Sequence, residues 1–242
     1  MLEKNNYTDY EEVTTSSYQP ATSLAFGALM RKVYVWMTLA LVVTGLTALY
    51  VANNMNALSL LTGGSFWILM IAEIGLVIAI TSGINRLSFA TAGLLFILYS
   101  ILNGVTMSFI FAIYTQSSIA STFFITAGTF AAMSLVGFIT KKDLSGMGKI
   151  LFMALIGLII ASVVNMFMHS PAIYWISSYA GVIIFTGLTA WDTQKIKQMF
   201  LTYGYDVNEQ TQKLALLGSL TLYLDFINLF LYLLRIFGSR ND

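Results

Sequence analysis

Three carboxylates stand in or beside long apolar runs of this chain: Glu73, Asp192 and Asp225. An acid at membrane depth costs roughly 2.5 to 3.5 kcal/mol on insertion scales, so each one needs a compensating role. Around Asp225, the residues Gly218, Thr221, Asn228 and Tyr232 recur at steps of three and four, which places all five on one stripe of a helix. Asn228, one turn from Asp225, can donate to its carboxylate. Such a stripe reads either as interhelical glue, worth about 0.6 kcal/mol per bond, or as a functional surface. The carboxylate favours function, because glue is usually Ser, Thr or Asn. Asp192 follows Trp191 at the end of a small-residue stretch, 181–190, and Lys195 lies within reach of an interfacial ion pair. Spacing alone therefore leaves Asp192 open between a structural and a functional acid. If Asp192 and Asp225 approach within hydrogen-bonding distance, they share a proton and titrate as a unit, a pH-sensitive latch. Glu73 and Arg86 stand thirteen residues apart, about 20 Å of helical rise, so they do not bond within one helix. Glu73 is expected to face Asn103 or Thr106, either as a satisfied core acid or as part of a site. Thr221, Asn228, Glu73 and Arg86 are the polar residues expected to support the Asp192 and Asp225 pair.

Other chemistry is excluded by what is missing. The chain has no cysteine and one histidine, His169, which removes thiol nucleophiles, disulfides, iron-sulfur clusters and imidazole metal clusters. Beside Ser170 and Pro171, His169 reads as a solvated turn. Gly146, Gly148 and Lys149 superficially suggest a phosphate loop, but Asp143 stands where the pattern needs Gly, and no Ser or Thr follows the lysine. There is no His-Glu-x-x-His and no Gly-x-Ser-x-Gly. The expectation is no enzyme and no bound cofactor.

The elements that must position these acids follow from composition. Of 242 residues, 57% are apolar and only 10% are charged, where a soluble domain carries about a quarter charged residues. A net charge of +1 also rules out a nucleic-acid binder built on a basic face. Seven apolar runs are long enough to cross a bilayer as helices: 33–51, 66–83, 89–114, 119–140, 150–168, 172–191 and 214–237. They lack the strand alternation of a membrane barrel, so the predicted class is an all-α membrane protein of seven transmembrane helices. Aromatic and methionine groups at span ends, 34–37 and 174–175, read as interfacial anchors. Residues 1–30 are polar and without apolar period, a mobile tail, with 31–242 as one seven-helix domain. The tail is not a signal peptide, since its start is acidic and no short apolar region precedes a small-residue cleavage site. Basic residues fall in the amino-terminal segment and in the second, fourth and sixth connections, and none in the first, third and fifth. The positive-inside rule then places the amino terminus in the cytoplasm and the carboxyl terminus outside. Arg235 and Arg240 are the exceptions, and a re-entrant last segment would account for them.

Two segments carry a resemblance. FTGLTAWDTQKIK at 185–197 and LYLDFINLFLYLLRIFG at 222–238 closely resemble the last two signature segments of the Bax inhibitor, or transmembrane Bax inhibitor motif, family, in its bacterial branch. Weaker likeness extends through AEIGLVIAITSGINRLS at 72–88 and LYSILNGVTMSFIFAIY at 98–114. The resemblance implies six helices in two three-helix layers around a central carboxyl-terminal helix, in a bacterial inner membrane. It also implies a pH-dependent calcium leak controlled by a hydrogen-bonded aspartate pair, which falls on Asp192 and Asp225. Those two acids are then the transient calcium ligands, with calcium as permeating ion and protons and the lipid bilayer as the other partners. The 201–211 connection, longer than in some relatives, is a departure. From the residues alone, protons or other cations suit equally, and the pH direction of opening stays open. A non-transporting stress regulator that contacts other membrane proteins is the alternative from a different class. A proton-coupled transporter ranks third, because no inverted repeat is apparent in the spans.

Overall fold

The computed structural model describes residues 7–54, 64–203 and 207–241, with side chains from residue 25 onward except Tyr203. The elements are α1 (Tyr7–Ala52), α2 (Gly64–Gly83), α3 (Phe89–Met107), a short α4 (Phe109–Ile113), α5 (Gln116–Ile139), α6 (Ser145–Met168), α7 (Pro171–Tyr203) and α8 (Glu209–Phe237). Seven segments are long and apolar enough to cross a membrane, with α3 and α4 forming one of them. Among the described residues the only strand-like pairing is an isolated bridge between Tyr114 and Arg240.

Local chemistry sets the helix ends. Ser88 caps α3 by accepting from the Thr91 amide at 3.1 Å, and Asn208 caps α8 by accepting from the Thr211 amide at 2.9 Å. Thr211 closes a capping box with the Asn208 amide. α7 opens on Pro171, a position where the missing N–H is no loss. The turn before it uses His169 in the left-handed region, at φ 50°, and exposed.

Three boundaries differ from the sequence expectation. The sixth span continues twelve residues past Trp191 to Tyr203, and the last begins at Glu209 instead of 214. A hydropathy reading stops at Asp192, Gln194, Lys195 and Lys197, yet no Pro or Gly interrupts the helix before Gly204. Asp192 is therefore a mid-helix residue, and only 207–208 of the expected 201–211 connection is described as non-helical, 204–206 lying outside the described residues. At the amino terminus, residues 1–6 of the expected tail lie outside the described residues, and from Tyr7 the backbone is helical and continuous with the first span.

α8 is the axis of the bundle. Of its most apolar eighteen residues, 67% are buried, against 39% or fewer in every other span. It packs against α1, α3, α5 and α7, while α3 packs between α1 and α2, and α7 between α5 and α6. In the outer α2 and α6 only 6% of the most apolar eighteen residues are buried, as expected of lipid-facing helices. Trp36 and Met37, read from the sequence as interfacial anchors, instead face inward: Met37 is buried, and Trp36 meets Phe89 edge-on at 5.9 Å. Glycine permits the closest crossings; a Cβ on Gly104 would stand 2.6 Å from the Thr44 carbonyl oxygen.

The two ends of the bundle are distinct. Lys32 Nζ donates to Gln212 Oε1 at 3.0 Å, and Lys213 Nζ donates to the Leu87 carbonyl at 3.1 Å, gathering basic connections at one end. At the other, the Thr115 amide donates to Ser239 O at 3.0 Å, and the Asn241 amide to Ile113 O at 2.9 Å. α8 thus traverses the whole bundle, and its carboxyl end is tied to the base-free third connection. It is not re-entrant.

Candidate functional site

The stripe read on the last helix faces α7. Gly218 lies against Ile196, and Tyr232 lies against Gly181 and stacks on Phe185 with ring centroids 5.8 Å apart. Between these contacts Asp225 meets Asp192, the carboxyl groups within hydrogen-bonding reach of one another. Their exposures are 5% and 6%. Asp225 Oδ2 has no hydrogen-bond partner among the described residues. Two ionised carboxylates are acceptors only, so a bond between them exists only while a proton is shared.

The surroundings hold Asp192 in place without neutralising it. No ion pair joins it to Lys195, whose ammonium lies 5.1 Å from the Trp191 ring centroid instead. The expected interfacial pair is corrected: the longer α7 keeps Asp192 in the packed interior while Lys195 reaches across Trp191. Two residues after Asp192, Gln194 accepts from the Leu144 amide and donates to the Lys142 carbonyl, each at 2.8 Å. Lys197 Nζ donates to the Phe138 carbonyl at 2.7 Å. These bonds fasten the carboxyl-terminal part of α7 to α5 and the α5–α6 connection, and the Lys197 bond satisfies a carbonyl that the end of α5 leaves unpaired. Thr193 donates to Ser134 Oγ of α5 at 3.4 Å.

The supporting residues divide. Asn228, half-buried, donates to the Leu224 carbonyl one turn back at 2.8 Å and not to Asp225. Thr221 likewise donates to the Leu217 carbonyl at 3.1 Å. Both are corrected from partners of the pair to residues satisfied within their own helix. Arg86 is exposed in the turn after α2, which Lys213 ties to the first turns of α8 through the Leu87 carbonyl.

Glu73 belongs to a second polar assembly on the opposite side of α8. Its Oε2 accepts from Asn103 Nδ2 at 3.3 Å, and its Oε1 accepts from the Thr106 hydroxyl. Asn103 Oδ1 in turn accepts from Tyr223 OH at 3.0 Å, and Tyr223 OH lies 2.7 Å from Thr44 Oγ1. Thr44 also donates to the Ser100 carbonyl at 2.9 Å. Two hydroxyl protons serve three contacts: with Tyr223 donating to Asn103, the one Thr44 proton goes either to the Ser100 carbonyl or to the Tyr223 oxygen. Tyr223, fully buried, was missed in the stripe reading because it lies off that face. The available signal was a phenol at the centre of an apolar helix, which needs a partner. Tyr223→Phe should cost about 1 to 2 kcal/mol by stranding Asn103 and Thr44, visible as a lowered unfolding temperature in detergent, without touching the aspartates.

Residues 27–242 match the family model described as "Inhibitor of apoptosis-promoting Bax1". The chain is 51% identical over 227 residues to "Inner membrane protein YbhL" of Escherichia coli strain K12, covering 93% of this chain and 96% of that protein. It is 44% identical over 236 residues to an "Uncharacterized protein" of Rickettsia prowazekii, covering 97% and 99%. A similar protein of Borreliella burgdorferi is 46% identical over 215 residues, covering 88% and 92%.

Proposed function

The chain belongs to the Bax inhibitor family and is a multi-pass integral membrane protein, and from that premise we propose that it is a pH-sensitive calcium (cation) leak channel gated by Asp192 and Asp225. The observation that carries this reading is Asp225 Oδ2, buried and unpartnered beside a second carboxyl. A satisfied core acid leaves no such atom.

With a proton shared, the pair holds α7 to α8. Without it, two unit charges roughly 4 Å apart repel by about 4 kcal/mol at an effective dielectric of 20. At 1.36 kcal/mol per decade, that shifts a two-state helix contact nearly a thousandfold. Calcium takes oxygen ligands. The aspartates supply carboxylates, and the Thr122 and Thr186 hydroxyls of α5 and α7 are two further buried oxygens without hydrogen-bond partners among the described residues. No three acid or imidazole groups gather among the described residues, which suits passage of the ion more than tight retention.

The exposed Asp143 does not interfere with such a pH response. Its hydrogen bond from Ser145 holds its carboxyl below the ordinary value, so it stays ionised from pH 5 to 8. Purified protein in liposomes with an entrapped calcium dye should show flux above empty vesicles that changes across that range; no flux at any pH would sink the proposal. By the positive-inside rule, the Lys32 end faces the cytoplasm of a bacterial inner membrane. Alkaline phosphatase fused after Asp242 should then be active, since its disulfides form only outside the cytoplasm. An inactive fusion made at normal level would reverse the orientation.

A further inference from the structure

α1 and α5 flank α8 but do not pack against one another as the neighbouring helix pairs do. Between them is a cavity of about 310 Å³, walled by Met37 and Leu41 of α1 and by Phe123, Ala127 and Phe130 of α5, with Phe226 of α8 as its floor. Phe226 is wedged between Phe123 and Phe130, each ring centroid 5.4 Å away. The volume is at the lower end of ligand pockets.

We infer that this groove is a binding site for one acyl chain of the surrounding bilayer, and that the chain braces α8 from behind the aspartate pair. No charged side chain lines the groove, so a charged headgroup or a free ion finds no opposite charge there. The rims are continuous with surface that faces outward at bilayer depth: Leu39 and Val42 on α1, Phe124 and Leu135 on α5. An apolar void left dry forfeits dispersion contacts along its whole lining. In a bilayer, hydrocarbon tails are the apolar material at hand, and a flexible tail can enter sideways. The link to the latch is short. Phe226 adjoins Asp225 in sequence, and Ser134, at one end of the groove, accepts from Thr193, which adjoins Asp192. An occupant therefore touches α8 directly and reaches α7 through Ser134 of α5.

The coupling to flux rests on the leak reading; the site itself does not. Phosphatidylcholine vesicles carrying a mid-chain diazirine lipid would be irradiated with the full-length protein and the adducts mapped by mass spectrometry. Adducts are expected on Phe226 and Met37, which bulk lipid cannot reach, as well as on the exposed control Phe124. Filling the groove with Ala127→Phe or Ala131→Phe should reduce labelling of Phe226 and Met37 at least fivefold and leave Phe124 unchanged. Labelling confined to Phe124, or groove labelling indifferent to both filling variants, would overturn the site. In matched dye-loaded vesicles, the filled variants should change the calcium leak rate severalfold. An unchanged rate with labelling lost would overturn the brace. Absence of flux from the wild type would defeat the leak reading and the brace together, leaving the site to be decided by the labelling.

Discussion

Asp225→Asn should leave a folded protein whose calcium flux no longer responds to pH. Asparagine keeps the shape of the carboxyl and offers an N–H that donates permanently to Asp192, imitating the proton-sharing state at every pH. The ratio of fluxes at pH 8 and pH 5, whatever its sign in the wild type, should fall close to one. The upper bound on the lost effect is the nearly thousandfold shift set by about 4 kcal/mol of repulsion. Burial sharpens the expectation, because at 5% exposure water cannot take over the proton-dependent contact. His169→Gln removes the only imidazole of the chain and should leave the pH response intact. If Asp225→Asn titrates like the wild type, the pair is not the sensor. Dye-loaded liposomes at matched protein density measure both variants.

The second large effect is steric. α5 and α7 approach most closely at Gly137, where an added Cβ would stand within 2.9 Å of three backbone atoms of Ala190. Backbone cannot rotate aside as a side chain can, so Gly137→Ala must push the two helices apart. The strain lies two residues from Asp192 and one turn from Ser134, which accepts from Thr193. Overpacking of this kind costs about 1 to 3 kcal/mol, which should lower the unfolding temperature by several degrees and misplace the aspartate. Gly128, on the same helix, has nothing within 4 Å of such a Cβ. Gly128→Ala should therefore be neutral or slightly stabilising through helix propensity alone. Equal melting of the two variants would show that the crossing at Gly137 tolerates more room than its geometry allows. Thermal unfolding in one detergent separates them.

How much could be read from the residues depended on whether a group's partner was near in sequence. The seven spans were legible because each is a continuous apolar run, and Glu73 was legible because Asn103 and Thr106 are polar residues one turn apart in the neighbouring span. The inner half of α7 was not. Gln194, Lys195 and Lys197 look like a connection until their partners at 138, 142, 144 and 191 are known. Asn228 and Thr221 share a stripe with Asp225, yet spacing does not distinguish a donor aimed at a carboxylate from one bound to its own backbone. Tyr223 was hidden for the opposite reason. Its partners Thr44 and Asn103 come from helices that no periodicity connects to α8.

The central claim is that the proton between Asp192 and Asp225 sets the contact of α7 with α8. The absence of cysteine allows a direct measurement, since two engineered cysteines are the only sites a thiol label can take. Spin labels at the exposed Ile176 on α7 and Phe237 on α8 would report the helix separation by pulsed resonance in lipid nanodiscs. The account expects a distance distribution that lengthens as pH rises from 5 to 8 and becomes invariant in Asp225→Asn. A distribution identical across that range in the wild type would contradict it.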